Sequence, residues 1–189
     1  MKYEEDLKNS LRVLNEGGVI LYPTETIWGL GCDATNNEAT ERIFKIKNRI
    51  ESSSLIVLVD GEMMLRRYIR ELPSAASTIL GVADTPITII YPGGRNLANG
   101  ITAEDGSAGI RITKDRFCSE LIGRLKKPLV STSANKSGEP APSCYDEIVP
   151  DIINSVDYVV FHRREDRQKH KASPVIKIEL NGEIKIIRK

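Results

Sequence analysis

The chain is poor in the residues that most often carry covalent or metal chemistry. Its only two histidines, His162 and His170, lie in one charged stretch, away from any nucleophile or metal-ligand cluster, so hydrolytic triads and zinc chemistry fit badly. Histidines in such a stretch are expected to be solvated. The three cysteines, Cys32, Cys118 and Cys144, are odd in number and lack CxxC spacing, which suits neither a disulfide framework nor a zinc site. There is no GxxxxGK[ST] loop and no GxGxxG. No apolar run approaches membrane-spanning length and the start, MKYEEDLK, is charged, so neither signal peptide nor anchor is expected and a reducing cytoplasm is the default location. Charge of one sign is also lacking. Lys and Arg number 27 against 26 Asp and Glu, and a net +1 argues against a nucleic-acid coat protein or a membrane-surface binder.

What is present is enough apolar material, 40% of 189 residues, to bury a sizeable core, and residues 1–189 are expected to form a single domain. Leu7, Leu11 and Leu14 recur at helical spacing and Gly17-Gly18 stops that helix before a strand at 19–22. A second helix carrying Ile43, Phe44 and Ile46 should end near Lys47-Asn48-Arg49 and lead to a buried strand at 55–59. Helices at 63–72 and 75–82, strands at 87–91 and 108–112, a helix at 115–126 and a strand at 128–132 follow. The terminal VIKIEL and EIKII flank Asn181-Gly182, a strong hairpin signal. Helices alternating with strands, together with that hairpin, predict an α/β fold with a twisted mixed parallel and antiparallel sheet flanked by helices.

Three stretches stand out. "YPTETIWGLG" (22–31) leaves a short strand and supplies Thr24, Glu25 and Thr26 where ligands tend to lie in α/β sheets. It would equally make a turn in which the threonines satisfy nearby backbone groups and Trp28 packs inward. "KIKNRI" (45–50) sets Lys47 and Arg49 two apart at a helix end, where they are expected to be exposed. They fit either the helix dipole or a phosphate clamp. "VSTSANKSG" (130–138) places Ser131, Ser133, Asn135, Ser137 and Gly138 straight off a strand, the least turn-like of the three because polar side chains begin while the β pattern is still running. Small hydroxyls and a glycine let backbone N–H groups approach a phosphate or carboxylate, and a serine-rich loop without function is the alternative.

In order, "YPTETIWGLG", "KNR" followed by "LIVLV", and "STSANKSGEPAP" resemble the motifs of the YrdC-like family, the threonylcarbamoyl-AMP synthases, from about Gly17 to Arg188. The resemblance implies a YrdC-like fold and an enzyme, a nucleotidyltransferase that makes threonylcarbamoyl-AMP and pyrophosphate from L-threonine, bicarbonate and ATP. A downstream threonylcarbamoyl transferase complex would then modify a transfer-RNA adenosine. It also implies catalytic and triphosphate-binding roles for Lys47 and Arg49, and nucleotide binding by Ser133, Asn135 and Arg188. Thr24, Thr26, Arg111 and Ser173 would bind the threonine end. Mg2+ would be held by phosphate oxygens and water, with no protein metal site. Such a reaction needs positioning and charge neutralisation more than a protein nucleophile.

The chain departs from the family pattern in having Trp28 for a tyrosine, Ile50 for a proline, and the basic stretch HRREDRQKHK (162–171) in place of a glycine-rich approach to Ser173. That stretch motivates a competing reading, a double-stranded RNA-binding module in which Arg163, Arg164, Arg167, Lys169 and Lys171 meet phosphates. A third reading is a nucleotide-binding paralogue without synthase activity.

Overall fold

The computed structural model describes residues 2–48 and 55–189. Helix α1 (Lys2–Asn15) buries Leu7, Val13 and Leu14 and ends where Gly17 takes the left-handed conformation, φ 77°, that glycine adopts without a Cβ clash. Strands β1 (Ile20–Tyr22) and β2 (Gly29–Gly31) follow as an antiparallel pair. Helix α2 (Asn37–Lys47) starts at Asn36, whose side chain accepts the Ala39 N–H at 3.0 Å, and stops at Asn48, φ 48°. Next come β3 (Val57–Val59), α3 (Glu62–Tyr68), α4 (Ser74–Val82), β4 (Thr88–Tyr91) and β5 (Ala108–Ile112). Helix α5 (Arg116–Leu125) is capped by Asp115, which accepts the Cys118 N–H at 2.9 Å, and buries Phe117, Leu121, Ile122 and Leu125 on one face. The rest of the chain supplies β6 (Leu129–Val130), β7 (Thr132–Ser133), a 3-10 turn at Tyr145–Glu147, α6 (Pro150–Ile153), β8 (Tyr158–Val159), β9 (Val175–Ile178) and β10 (Ile184–Arg188).

The fold is α/β with mixed pairing, as expected, but the strands divide into two sheets instead of one. A six-stranded sheet runs β10-β9-β4-β5-β3-β6, and a four-stranded sheet runs β7-β2-β1-β8. Each contains parallel and antiparallel neighbours. The segment from Leu129 to Ser133 belongs to both. Leu129 and Val130 pair with β3, then Thr132 and Ser133 pair with β2, while the Ser131 N–H between them reaches the Ile56 carbonyl at 2.8 Å. One extended segment thus changes partner sheet at Ser131.

Two strands lie outside the expected set. β2 is Gly-Leu-Gly, and β8, Tyr158-Val159, is a pair of residues within the short apolar run Tyr158-Val159-Val160-Phe161. Gly31 is needed for space: a Cβ there would lie 2.5 Å from Tyr22 Cε1 and 2.9 Å from the Val130 carbonyl oxygen. The terminal hairpin forms as expected, with Gly182 at φ 87° and β9 antiparallel to β10.

Candidate functional site

A cleft of about 190 Å3 opens where β7, the loop before β2, β5 and the C-terminal hairpin meet. Thr26, Arg111, Ser133, Ser173 and Arg188, all expected at a site, line it together. They come from five separated parts of the chain. Thr24 lies just behind, its hydroxyl 3.0 Å from that of Thr26 and donating to the Ile27 carbonyl at 2.8 Å. The turn reading holds for Thr24, which braces the turn that presents Thr26 to the cleft.

Lys47 departs from expectation. Instead of standing exposed at a helix end it is 2% exposed, and its ammonium donates to the Ser133 carbonyl at 2.6 Å and the Asn135 carbonyl at 2.7 Å. Helix α2 points its last side chain under the 133–139 loop, where main-chain carbonyls replace the water an ammonium would otherwise keep. Asn135 likewise turns inward: its amide donates to the Lys136 and Glu139 carbonyls at 3.0 and 2.7 Å and so folds the loop. Neither side chain is among those lining the cleft. Arg49 lies outside the described residues.

The charged groups of the cleft are two guanidiniums. Arg111 is buried against Glu25, with Nε 3.0 Å from Oε1, an ion pair whose N–H is not aligned for a hydrogen bond. The other Glu25 oxygen accepts the Thr113 hydroxyl at 2.9 Å. Arg188 has no carboxylate beside it among the described residues and rests on the Ser173 carbonyl through Nε and Nη2, at 3.0 and 2.8 Å. Burial, and then the Arg111 guanidinium, hold its pKa below the usual arginine range. Two cations with one retained carboxylate leave the cleft positive, which suits an anionic ligand.

Ser131, Thr132 and Trp28 complete the walls. Trp28 is 5% exposed and packs against Tyr145 with ring centroids 5.0 Å apart. The contribution of Ser131 was legible in principle, since Ser131 and Ser133 share one face of a strand by period two. That of Glu25 and Thr113 was not, because their pairing with Arg111 depends on tertiary geometry. Among the described residues lining the cleft there is no His, Cys, Lys, Asp or Glu. Burial disfavours the thiolate at two cysteines, pushing the Cys32 thiol up to about 12 and raising that of Cys118 as well. The cleft can position and neutralise, but its own walls supply no acid or base.

The basic stretch differs most from expectation. His162 is half-buried, packed between Tyr3 and Phe117 with ring centroids 5.1 and 5.8 Å away. The carboxylate of Asp6 accepts the main-chain N–H groups of Phe161 and His162 at 2.9 and 2.8 Å. Arg164 lies over the Phe161 ring at 3.8 Å and donates to the Val159 and Val160 carbonyls. Arg163 pairs with Asp115 at 3.2 Å, Arg167 with Asp146 at 2.9 Å and Lys169 with Glu147 at 3.9 Å. Four of the five cations expected to meet RNA are thus engaged within the chain, and the stretch forms a strap running to Ser173 at the cleft.

No group of three His, Cys, Asp or Glu side chains able to hold a metal ion occurs among the described residues, and Glu25, behind the cleft residue Arg111, is already paired. No helix among them is long and apolar enough to cross a membrane.

Comparison with known proteins agrees with this architecture. A family model for Sua5, YciO and YrdC proteins, described as telomere recombination, matches residues 12–189. A threonylcarbamoyl-AMP synthase of Xanthomonas axonopodis pv. citri is 34% identical over 158 residues, covering 82% of this chain and 84% of that protein. The structure of Escherichia coli YciO superposes with a TM-score of 0.84 at 20% identity, covering 98% of this chain and 89% of that one. Pyrococcus abyssi Sua5 complexed with L-threonine gives 0.80 at 24% identity over 91% of this chain, which spans half of the Sua5 chain. The match over most of its length, shared with a relative above 30% identity, places the chain in the Sua5/YciO/YrdC family.

Proposed function

We propose that this chain is a threonylcarbamoyl-AMP synthase, an enzyme that joins L-threonine, bicarbonate and ATP into threonylcarbamoyl-AMP with release of pyrophosphate. The observation that carries this reading is the convergence of Arg111 and Arg188 with Thr26, Ser133 and Ser173 on one cleft. That cleft has surplus positive charge and no acid or base in its walls. Relatives named threonylcarbamoyl-AMP synthase support the reaction, and a Sua5 structure holding L-threonine supports an amino-acid site in this fold.

In this reading the threonine amine bonds to the bicarbonate carbon with loss of water, a carbamate oxygen attacks the α-phosphorus of ATP, and the bond to pyrophosphate breaks. Thr26, Arg111 and Ser173 hold the threonine end, with Thr24 bracing Thr26. Ser133 and Arg188 hold the nucleotide, and Lys47 and Asn135 shape the loop that carries Ser133. Arg49 is assigned the leaving pyrophosphate by its motif alone. Charge neutralisation by fixed guanidiniums stabilises the crowded anionic transition state without reorganisation.

The hydroxyl-lined cleft does not make a Mg2+ site from protein groups. Any Mg2+ would arrive on the triphosphate, ligated by phosphate oxygens and water. The product would pass to a threonylcarbamoyl transferase that modifies transfer RNA, in the cytoplasm. No observation favours a double-stranded RNA partner.

The test is pyrophosphate release from ATP and Mg2+ by the full chain, with and without L-threonine and bicarbonate. Release that needs both co-substrates is expected; well-folded protein that released none, or released it without threonine, would overturn the reading.

A further inference from the structure

We infer that Arg163, in the basic strap, is a positioning residue that sets both walls of the threonine end of the cleft while touching no substrate itself. Its Nη1 donates to the main-chain carbonyl of Thr24 at 2.8 Å and to the Asp115 carboxylate at 3.2 Å. From there the contacts run along two routes. Thr24 holds the Thr26 hydroxyl at 3.0 Å, and Thr26 lines the cleft. On the other side the Asp115 N–H donates to the Thr113 hydroxyl at 3.2 Å, which donates to Glu25 at 2.9 Å, and Glu25 pairs with Arg111 at 3.0 Å. One guanidinium therefore joins the turn that presents Thr26 to the carboxylate that aims Arg111.

Two further observations indicate that the arginine is held for this task. Its backbone is left-handed, φ 65°, a conformation that costs a residue with a Cβ about 1 kcal/mol and that glycine takes freely. The preceding turn is anchored by the buried Asp6 carboxylate on the Phe161 and His162 N–H groups, which fixes where the Arg163 side chain starts. A guanidinium suits this junction because Nη1 serves Thr24 and Asp115 while Nη2 of the same rigid plane faces Asp166 at 3.5 Å; an ammonium offers one nitrogen and no fixed plane.

The inference rests on the proposed synthase reading for its kinetic readout, though not for its structural one. Arg163→Gly removes the guanidinium while relieving the backbone, and its melting temperature is measured alongside to report any loss of fold. Arg167→Ala, an exposed pair with Asp146, serves as the control. In ligand-free protein, hydrogen exchange of residues 24–29 and 111–115 should quicken about tenfold in Arg163→Gly, on the order of one lost charged hydrogen bond, and remain unchanged in Arg167→Ala. In the synthase assay the KM for L-threonine should rise about tenfold while that for ATP stays within about twofold, and Arg163→Lys should recover part of the loss.

Unchanged exchange in both segments would overturn the inference whatever the protein's activity. So would a lower melting temperature with both KM values unaltered. If the wild type neither bound nor consumed L-threonine, the synthase reading would fall, and the exchange result would still decide whether Arg163 positions the cleft.

Discussion

The Lys47 ammonium lies 2.7 Å from the carbonyl oxygen of Asn135, beneath the loop and not on its surface. With the Ser133 carbonyl at 2.6 Å it ties the end of α2 to the strand exit that presents Ser133. Lys47→Ala should therefore cost stability as well as turnover, about 1–3 kcal/mol for each carbonyl left without its donor. A lowered urea midpoint, measured beside pyrophosphate release, is the check. A variant of wild-type stability would show that these carbonyls find water or another donor.

Glu25 is the counter-charge of a buried arginine. Glu25→Gln should destabilise the protein by about 3–5 kcal/mol, because Arg111 would remain buried without its pair. Replacing both, as Glu25→Gln with Arg111→Met, should recover part of that loss while abolishing threonine use. Denaturant unfolding of the two variants distinguishes these outcomes.

His162 links stability to pH. Burial between Tyr3 and Phe117, and then the Arg163 guanidinium, lower its pKa from the usual 6.5. The unfolded chain then binds the proton more readily than the folded one, so the contribution is complete above about pH 6.5 and is lost as pH falls through the lowered folded value. Melting temperatures should rise with pH from about pH 5 to about pH 6.5 in the wild type and level off above it, and the rise should flatten in His162→Phe. An equal slope in both would assign the effect to other groups.

Trp28 is the only tryptophan of the chain, and it lines the cleft while packed on Tyr145. ATP binding should change its emission, and Ser133→Ala should raise the ATP concentration needed for half of that change. Titration of both proteins, corrected for nucleotide absorbance, measures this directly. No change in the wild type would place the nucleotide away from Trp28.

Most of what was legible in the sequence came from local chemistry. Gly17 and Gly182 marked real chain reversals, the apolar face of the helix after Asp115 was correct, and the polar run after Pro128 did leave a strand at a cleft. What could not be read was which polar groups face inward. Lys47 and Asn135 carry a family motif, yet their geometry is decided by carbonyls that lie more than 80 residues from Lys47 and only a residue or a few from Asn135. The strap misled for the same reason: a run of cations looks solvated until Asp6, Asp115, Asp146 and the aromatic rings that receive it are in place. β2 escaped detection because two of its three residues are glycines required by Tyr22 and by β7 packed against them.

The five residues from Leu129 to Ser133, shared by two sheets, bear on the order in which the chain acquires structure. β2 and β3 come early in the chain, yet each has a neighbour in this late segment, so neither sheet is complete until residues about 100 and 70 positions further on have arrived. Contacts of such long sequence separation are entropically costly to close and are expected to form late in folding. Ser133 is part of that late closure. The ligand cleft should accordingly appear together with global cooperativity, with no folded but binding-incompetent species accumulating during refolding.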